Sequence, residues 1–499
     1  MTTDGQDVHD SHDGPAAKVG AGCRRGASCQ RGAHGPEGRK FVWRQLLQHL
    51  LFALVCGVVC GFGSVLLCIC VDASRRLFVR WTWLLWLLPV LGVLELLLYR
   101  WWKLPQDTTT ESVVRTMRRG ERLSGMLAPG ILLTTCMTML GGGAVGKEAG
   151  ALQMGASLGT TVSKPFHLHD LFQRDDDDTK AVNSYVASTG MAAEFSALFF
   201  APLGSAVLVI ELLGFSQIRF IFSILIACFA AYAVASMCHI GDIITAIGAP
   251  PVSWPVIGNC IVIGVAGALF GAIFATSVRM IQGLTKRIFP KLYLWVVVAG
   301  LFYAVLVIAC KWIDFTGSGG ELLNMTLETG NISWDFAIKM LLVVICLGFW
   351  FKGGEIMPSL CIGGLLGSSC SIMTGTDPLF GAAIGTMCFF AAVERVPAAA
   401  FLMGCEIFGW SMAPFLAIAV VVAFMFSYPV GIYGAGADLF VRTRWRAFKS
   451  RIFERSLSDE WSSDRGPLDN IAQMTRALEN LRAGNHPDEG HPNPADHDD

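Results

Sequence analysis

Charge is scarce in this chain: Asp, Glu, Lys and Arg make up 15% of its 499 residues, against 53% hydrophobic residues. That balance excludes a disordered, highly charged chain. The formal net charge of -1 gives no argument for nucleic acid, because much of the positive charge sits on two flanks. A cleavable signal peptide is also missing, since the first 40 residues are polar and rich in Gly, His, Asp and Arg. The sixteen cysteines lack paired metal spacing. Fourteen of them, Cys56 to Cys405, lie in apolar stretches and read as small buried hydrophobes, whereas Cys23 and Cys29 read as free thiols of a cytosolic tail. No metal and no cofactor is expected.

Long apolar runs are what the chain has in abundance. Runs of about 18 or more residues, enough to cross a bilayer core as helix, occupy Leu46–Val71, Trp81–Tyr99, Phe220–Met237, Val256–Ala275 and Leu292–Ala309. Others, over 125–163, 181–214, 336–375 and 380–434, are broken by Gly, Pro or a lone acid. Broken segments survive at membrane depth only inside protein or beside water. The fold class is therefore an all-α polytopic membrane protein in the cell membrane, its spans in contact with the lipid bilayer. Basic residues cluster before the first span (Arg39, Lys40, Arg44) and after the last (Arg442, Arg444, Arg446), placing both ends in the cytoplasm. The expected organisation is a disordered tail over 1–40, a membrane domain over 41–445 in two halves (about 45–240 and 250–440), and a second tail over 446–499.

The halves echo each other. "PLGSAVLVIELLG" from Pro202 and "PAAAFLMGCEIFG" from Pro397 share P-x8-E and a closing Gly. "KEAGALQMGASLG" and "GEIMPSLCIGGLLG" pair more loosely, the fit requiring one inserted residue. Duplicated, Gly/Pro-interrupted segments are the mark of a transporter whose site lies where broken helices meet. Gly141, Gly142, Gly143 and Gly146 give an unwound entry to the first such helix, and Gly353, Gly354 and Pro358 to the second. Amide groups at a helix start carry about half a positive charge and favour an anion. Glu148 sits at the first mouth, where its carboxylate takes the place of an anion and yields on protonation. A loop-facing cap, or a partner for Lys147, is the alternative reading.

Residues 146–159 resemble the G-[RK]-E-G-P segment of the CLC family of chloride channels and proton-coupled anion exchangers. "GGEIMPSLCIGGLLG" resembles its G-x-F-x-P segment, and Tyr433 in "SYPVGIYGAGADL" falls where that family keeps its anion-touching tyrosine. The resemblance runs from about residue 45 to 440. It implies a homodimer with one pore per subunit, about eighteen helices in two inverted halves, and broken half-helices meeting at a midplane anion site. Gly353, Gly354, Glu355, Ile356, Met357 and Pro358 are closer to the G-G-E-V-T-P of the fluoride/proton exchanger branch than to chloride members. Leu212 stands where many chloride exchangers carry an inner proton glutamate. The implied gate and proton carrier is Glu148. The implied anion-binding set is Gly146, Lys147, Ala149, Gly150, Thr108, Glu355, Ile356, Met357 and Tyr433, with Ala149 and Met357 departing from the pattern. Thr108, nearest the family's serine, is equally readable as a helix cap. The paired nucleotide-sensing domains of many eukaryotic members are not expected in the short C-terminal tail, whose one amphipathic candidate is "LDNIAQMTRALENLRA".

Remaining charges read as structural. "QRDDDDTK", Gln173 to Lys180, reads as a solvated loop, and His167 and His169 lack a third ligand. Glu95 reads as a helix-end acid near the interface, Glu394–Arg395 as a local ion pair, and Glu211 and Glu406 as caps on the ends of their own helices. Glu194 lines an inner proton path or faces water at a helix end. The expected function is exchange of fluoride, or chloride, for protons. A passive chloride channel is the rival within the class, and a membrane enzyme, which would need converging acids, His or a nucleophile, is the rival outside it.

Overall fold

The computed structural model describes residues 36–166, 168, 176–239, 247–288, 292–330, 334–427 and 431–432, with side chains from residue 47 and, after Asp176, from Thr179. Tyr433, His167, His169 and the C-terminal amphipathic segment lie outside the described residues.

Among the described residues, sixteen α-helices fall into two series of eight. The first comprises α1 (Pro36–Arg80), α2 (Leu88–Trp101), α3 (Thr110–Arg118), α4 (Leu127–Leu140), α5 (Glu148–Val162), α6 (Asp176–Phe199), α7 (Pro202–Leu212) and α8 (Ile221–Cys238). The second comprises α9 (Trp254–Ile288), α10 (Leu292–Ala309), α11 (Gly320–Thr329), α12 (Asp335–Gly348), α13 (Ile356–Thr374), α14 (Pro378–Glu394), α15 (Pro397–Phe408) and α16 (Ala413–Phe426). Among the described residues, six helices are long and apolar enough to span a membrane. Each broken run has become helices meeting at a Gly- or Pro-marked break: α4 with α5, α6 with α7, α12 with α13, and α14 to α16. Several boundaries differ from expectation, with α1 and α9 running on to Arg80 and Ile288 beyond their apolar runs. The first helix begins at Pro36, inside the expected tail, and the last three acids of "DDDD" open α6 rather than sit in a loop.

Small residues set the packing. A side chain on Gly155 or Gly159 would strike the α6 backbone at Gly190 and Val186, and one on Gly363 or Gly367 would strike the α14 backbone at Gly385 and Gly381. Helices in lipid gain little from apolar transfer between them, so close backbone approach at such stripes supplies the association. The two stripes occupy the same register in the two halves. That register also pairs Gly146 with Gly354 and Lys147 with Glu355, so the looser echo needs no inserted residue after all.

Corresponding residues touch across the halves. Gly146 and Gly354 exchange both backbone hydrogen bonds, each 2.7 Å, in an isolated antiparallel bridge. Glu406, at the end of α15, accepts from the amides of Leu203 and Gly204 at the start of α7 (3.0 and 2.7 Å). Glu211, at the end of α7, accepts from Ala398 and Ala399 at the start of α15 (3.3 and 2.9 Å). Each glutamate caps the partner helix, not its own. Both have Pro at N1, where no amide hydrogen is lost. Reciprocal contacts of this kind, i to j and j to i, are what a two-fold relation produces. They require α7 and α15 to run in opposite directions, which makes the repeats inverted.

Candidate anion pathway

The crossing of Gly146 and Gly354 brings the starts of α5 and α13 together, as the two interrupted entries predict. It also uses up the amides of both glycines, so Gly146 contributes the junction itself and not an N–H for an anion. The entries have the same shape. Lys147 precedes α5 at φ -92°, ψ -19°, and Glu355 precedes α13 at φ -91°, ψ -19°. Pro358 lies in the first turn of α13. Upstream, Gly142 is held at φ +73° with the Phe78 ring against its α-carbon, a conformation and a space that exclude any side chain.

Glu148 is the first residue of α5 and is fully buried. Its carboxyl folds back over the crossing: a methyl on Gly146 would run into Glu148 Oε2 and approach Pro358 Cδ to 2.9 Å. The acid thus lies over the junction of the two helix starts. Ala149 is buried against Gly354, whose added Cβ would stand 2.7 Å from the Ala149 Cβ and N. Ile356 and Met357 open α13 and are buried as well.

Two openings flank this junction. One is a vestibule of about 310 Å³ lined by Asp72, Arg75, Lys147, Glu321 and Met357, among others. Lys147 turns its ammonium into it, 3.4 Å from Asp72 Oδ1. The other is a cavity of about 60 Å³ on whose wall stand Thr108, Thr110, Gly150, Gln153, Lys352 and Glu355. Ile432, next to Tyr433 in sequence, lines this cavity too, tied by its amide to Val393 O (2.9 Å) and by its carbonyl to Arg279 Nη2 (2.9 Å). Lys147 and Glu355, equivalent by the two-fold, therefore face opposite openings with opposite charges.

Thr108 does not cap the next helix. Its hydroxyl donates to Pro105 O (2.6 Å), and Thr109 is the N-cap of α3 in a reciprocal box with Ser112. Glu95 is not an interfacial acid either: it is buried in mid-α2, accepting from the Thr138 hydroxyl (2.7 Å) and the Lys352 amide (3.1 Å). Lys352 in turn donates from Nζ to Gln106 O (2.6 Å) and Thr108 O (3.1 Å) and lies over the Tyr99 ring at 4.7 Å. A buried acid of the first half thus anchors the entry of the second, and that entry anchors the Thr108 loop. Only a fold could reveal this, because the partners are distant in sequence.

Three further acids or bases depart from expectation. Glu194 is fully buried, so it does not face water, and among the described residues neither of its carboxyl oxygens has a hydrogen-bond partner. Its place in α6 corresponds to Phe389 in α14: a side chain on Gly155 would meet Glu194 Cβ, and one on Gly363 would meet Phe389 Cβ. Arg395 does not pair with Glu394. Its Nη1 donates to Phe424 O (2.6 Å) and Ser427 Oγ (2.7 Å), with the guanidinium 3.9 Å from the Phe424 ring centroid. Glu394 is close enough to Glu355 for the two carboxyls to repel, while Arg279 attracts it.

The profile described as voltage gated chloride channel matches residues 95–428. A protein of Pseudomonas syringae pv. tomato named "Chloride/fluoride channel protein" is 28% identical over 401 residues, covering 78% of this chain and 86% of that one. The "H(+)/Cl(-) exchange transporter ClcA" of Vibrio parahaemolyticus is 28% identical over 293 residues, covering 54% of this chain and 60% of its own length. Among solved structures, a CLC-type fluoride/proton antiporter superposes with a TM-score of 0.71 at 24% identity, over 78% of this chain and 97% of that one. A slow cyanobacterial Cl-/H+ antiporter gives 0.65 at 18% identity, over 80% and 98%. These two likenesses establish a shared fold.

Proposed function

The chain belongs to the voltage gated chloride channel family, and from that membership we propose that it exchanges a small anion, fluoride before chloride, for protons across the cell membrane. The observation that carries the reading is the position of the Glu148 carboxyl, buried over the crossing of the two helix starts, whose neighbouring residues line two openings, Lys147 and Met357 the vestibule and Gly150 and Glu355 the cavity. Ionised, it occupies the place an anion would take. Protonated, it has no charge for the helix starts to hold, and it gives way to the anion while carrying a proton. At the crossing, protein dipoles then hold the ion, which keeps release fast. The names of the Pseudomonas and Vibrio relatives, one chloride/fluoride and one chloride/proton, support an anion substrate and leave fluoride and chloride to be ranked by experiment.

In this reading the cavity faces the cytoplasm. The positive-inside bias supports that orientation: Arg115 pairs with Glu111 and Lys286 lies over Trp350, both on the cavity wall, whereas the vestibule carries Asp72, Asp314 and Glu321 against Arg75 and Lys147. Both termini are then cytoplasmic, and the protein works as a homodimer with a pore in each subunit. Fluoride makes physical sense as cargo. HF crosses membranes as a neutral molecule and is trapped as the anion at cytosolic pH, so inward protons drive its expulsion.

Flux from proteoliposomes tests the proposal. Fluoride release accompanied by stoichiometric proton uptake is the expected result. Chloride flow with no proton movement would replace the exchanger with a passive chloride channel of the same fold.

A further inference from the structure

We propose that the cavity beside Glu355 binds the dehydrated anion through Thr110, Thr135 and Gln153, with Lys352 as its counter-charge, and that the Thr108 side chain takes no direct part. This rests on the anion-transport reading and adds the ligand set to it.

The cavity, at about 60 Å³, has room for an ion and a few waters but not for an organic metabolite. A small anion stripped of water needs hydrogen-bond donors in return. Thr108 cannot supply one in this arrangement, because its single hydroxyl proton goes to Pro105 O at 2.6 Å. Thr110, two residues on, is placed differently. It is 3% exposed, and its oxygen accepts from Gln153 Nε2 at 2.9 Å, so its own O–H has no acceptor among the described residues. The Gln153 amide, 6% exposed, keeps a second N–H. Thr135, 1% exposed, keeps its hydroxyl on the same wall, across Gly150, with no hydrogen bond among the described residues.

Charge on this wall is balanced. Glu355 and Glu111 bring negative charge, Lys352 and Arg279 positive charge. Glu111 is engaged with Arg115 at 2.6 Å and Arg279 donates to Ile432 O. Lys352, 7% exposed, spends two of its three N–H groups on the carbonyls of Gln106 and Thr108. It therefore does two things: it occupies those oxygens, and it offsets the repulsion between Glu355 and an incoming anion. Glu95 holds the Lys352 backbone in place from behind.

Calorimetric titration of the purified full-length chain with sodium fluoride, and separately with sodium chloride, tests this beside the flux assay. Thr110→Val and Thr135→Val should each weaken fluoride binding by about tenfold or more, the scale of one lost hydrogen bond to a charged group. Thr110→Ser should restore it, Thr108→Val should leave it within about twofold, and Lys352→Arg should retain what Lys352→Met loses. Wild-type-like binding by both Thr110→Val and Thr135→Val, loss on Thr108→Val alone, or no binding of either anion to the wild type would overturn the site. Thr110-dependent binding in a protein that moves no anion would keep the site and overturn the transport reading.

Discussion

The two interrupted entries are one shape used twice with opposite charge. Lys147 and Glu355 hold equivalent positions and nearly identical backbone angles, yet the first faces a vestibule beside Asp72 and the second a cavity beside Lys352. One residue later the halves part again: α5 begins with Glu148, α13 with Ile356. An inverted repeat by itself gives a symmetric junction with two equivalent mouths. The side chains break that symmetry, and they do so at the two positions where direction and proton coupling have to be set.

The glycines of the crossing offer the strongest way to break the comparison. At Gly354 an added methyl meets the backbone of Ala149, whereas at Gly146 it meets mainly the movable end of Glu148. Gly354→Ala should cost about 1–3 kcal/mol of stability, as overpacking does, and abolish anion flux. Gly146→Ala should melt closer to the wild type but lose proton coupling, because it evicts the carboxyl. Thermal unfolding in detergent, paired with flux, reads both; equal behaviour of the two variants would deny that the junction is asymmetric.

The reciprocal caps sharpen the comparison where the halves do match. Glu211→Ala and Glu406→Ala each remove a double acceptor from the opposite helix start, worth about 0.5–2 kcal/mol. The more deeply buried Glu211 should be the costlier to lose, and unfolding temperatures will show the order. Glu194 is a smaller test. Replacing this buried acid with Leu should raise stability by about 1 kcal/mol, the low end of the cost of an unmet polar group, and leave exchange intact. Loss of proton coupling would instead put Glu194 on the proton path. Asp72→Asn should have the least effect, at most about fivefold on rate and fading with salt, since the pair with Lys147 is open to solvent on the Asp72 side.

Much of the fold was legible because it rests on local patterns. Apolar runs of spanning length became α1, α2, α8, α9 and α10, with α8 and α10 nearly as drawn and α1 and α9 reaching well past their apolar runs, and Gly and Pro marked where the others break. The P-x8-E echo was legible as a repeat, but its purpose was not, because a glutamate near a helix end suggests a cap on its own helix and the structure uses it on another. The second echo was misread for a related reason. Sequence comparison sets Glu against Glu, while space sets Glu355 against Lys147. Glu95 and Thr108 were misjudged because the residues that decide their roles, Thr138, Lys352 and Pro105, act through tertiary contacts or a local turn that composition does not record.

The central claim is that one carboxyl over the crossing both excludes the anion and ferries the proton. Vesicles holding the wild type or Glu148→Gln, given an outward fluoride gradient at equal pH on both sides, test it most directly. The wild type should pump protons inward against the gradient it builds, while Glu148→Gln should release fluoride with no proton movement; proton pumping by the Gln variant at the wild-type ratio would contradict the claim.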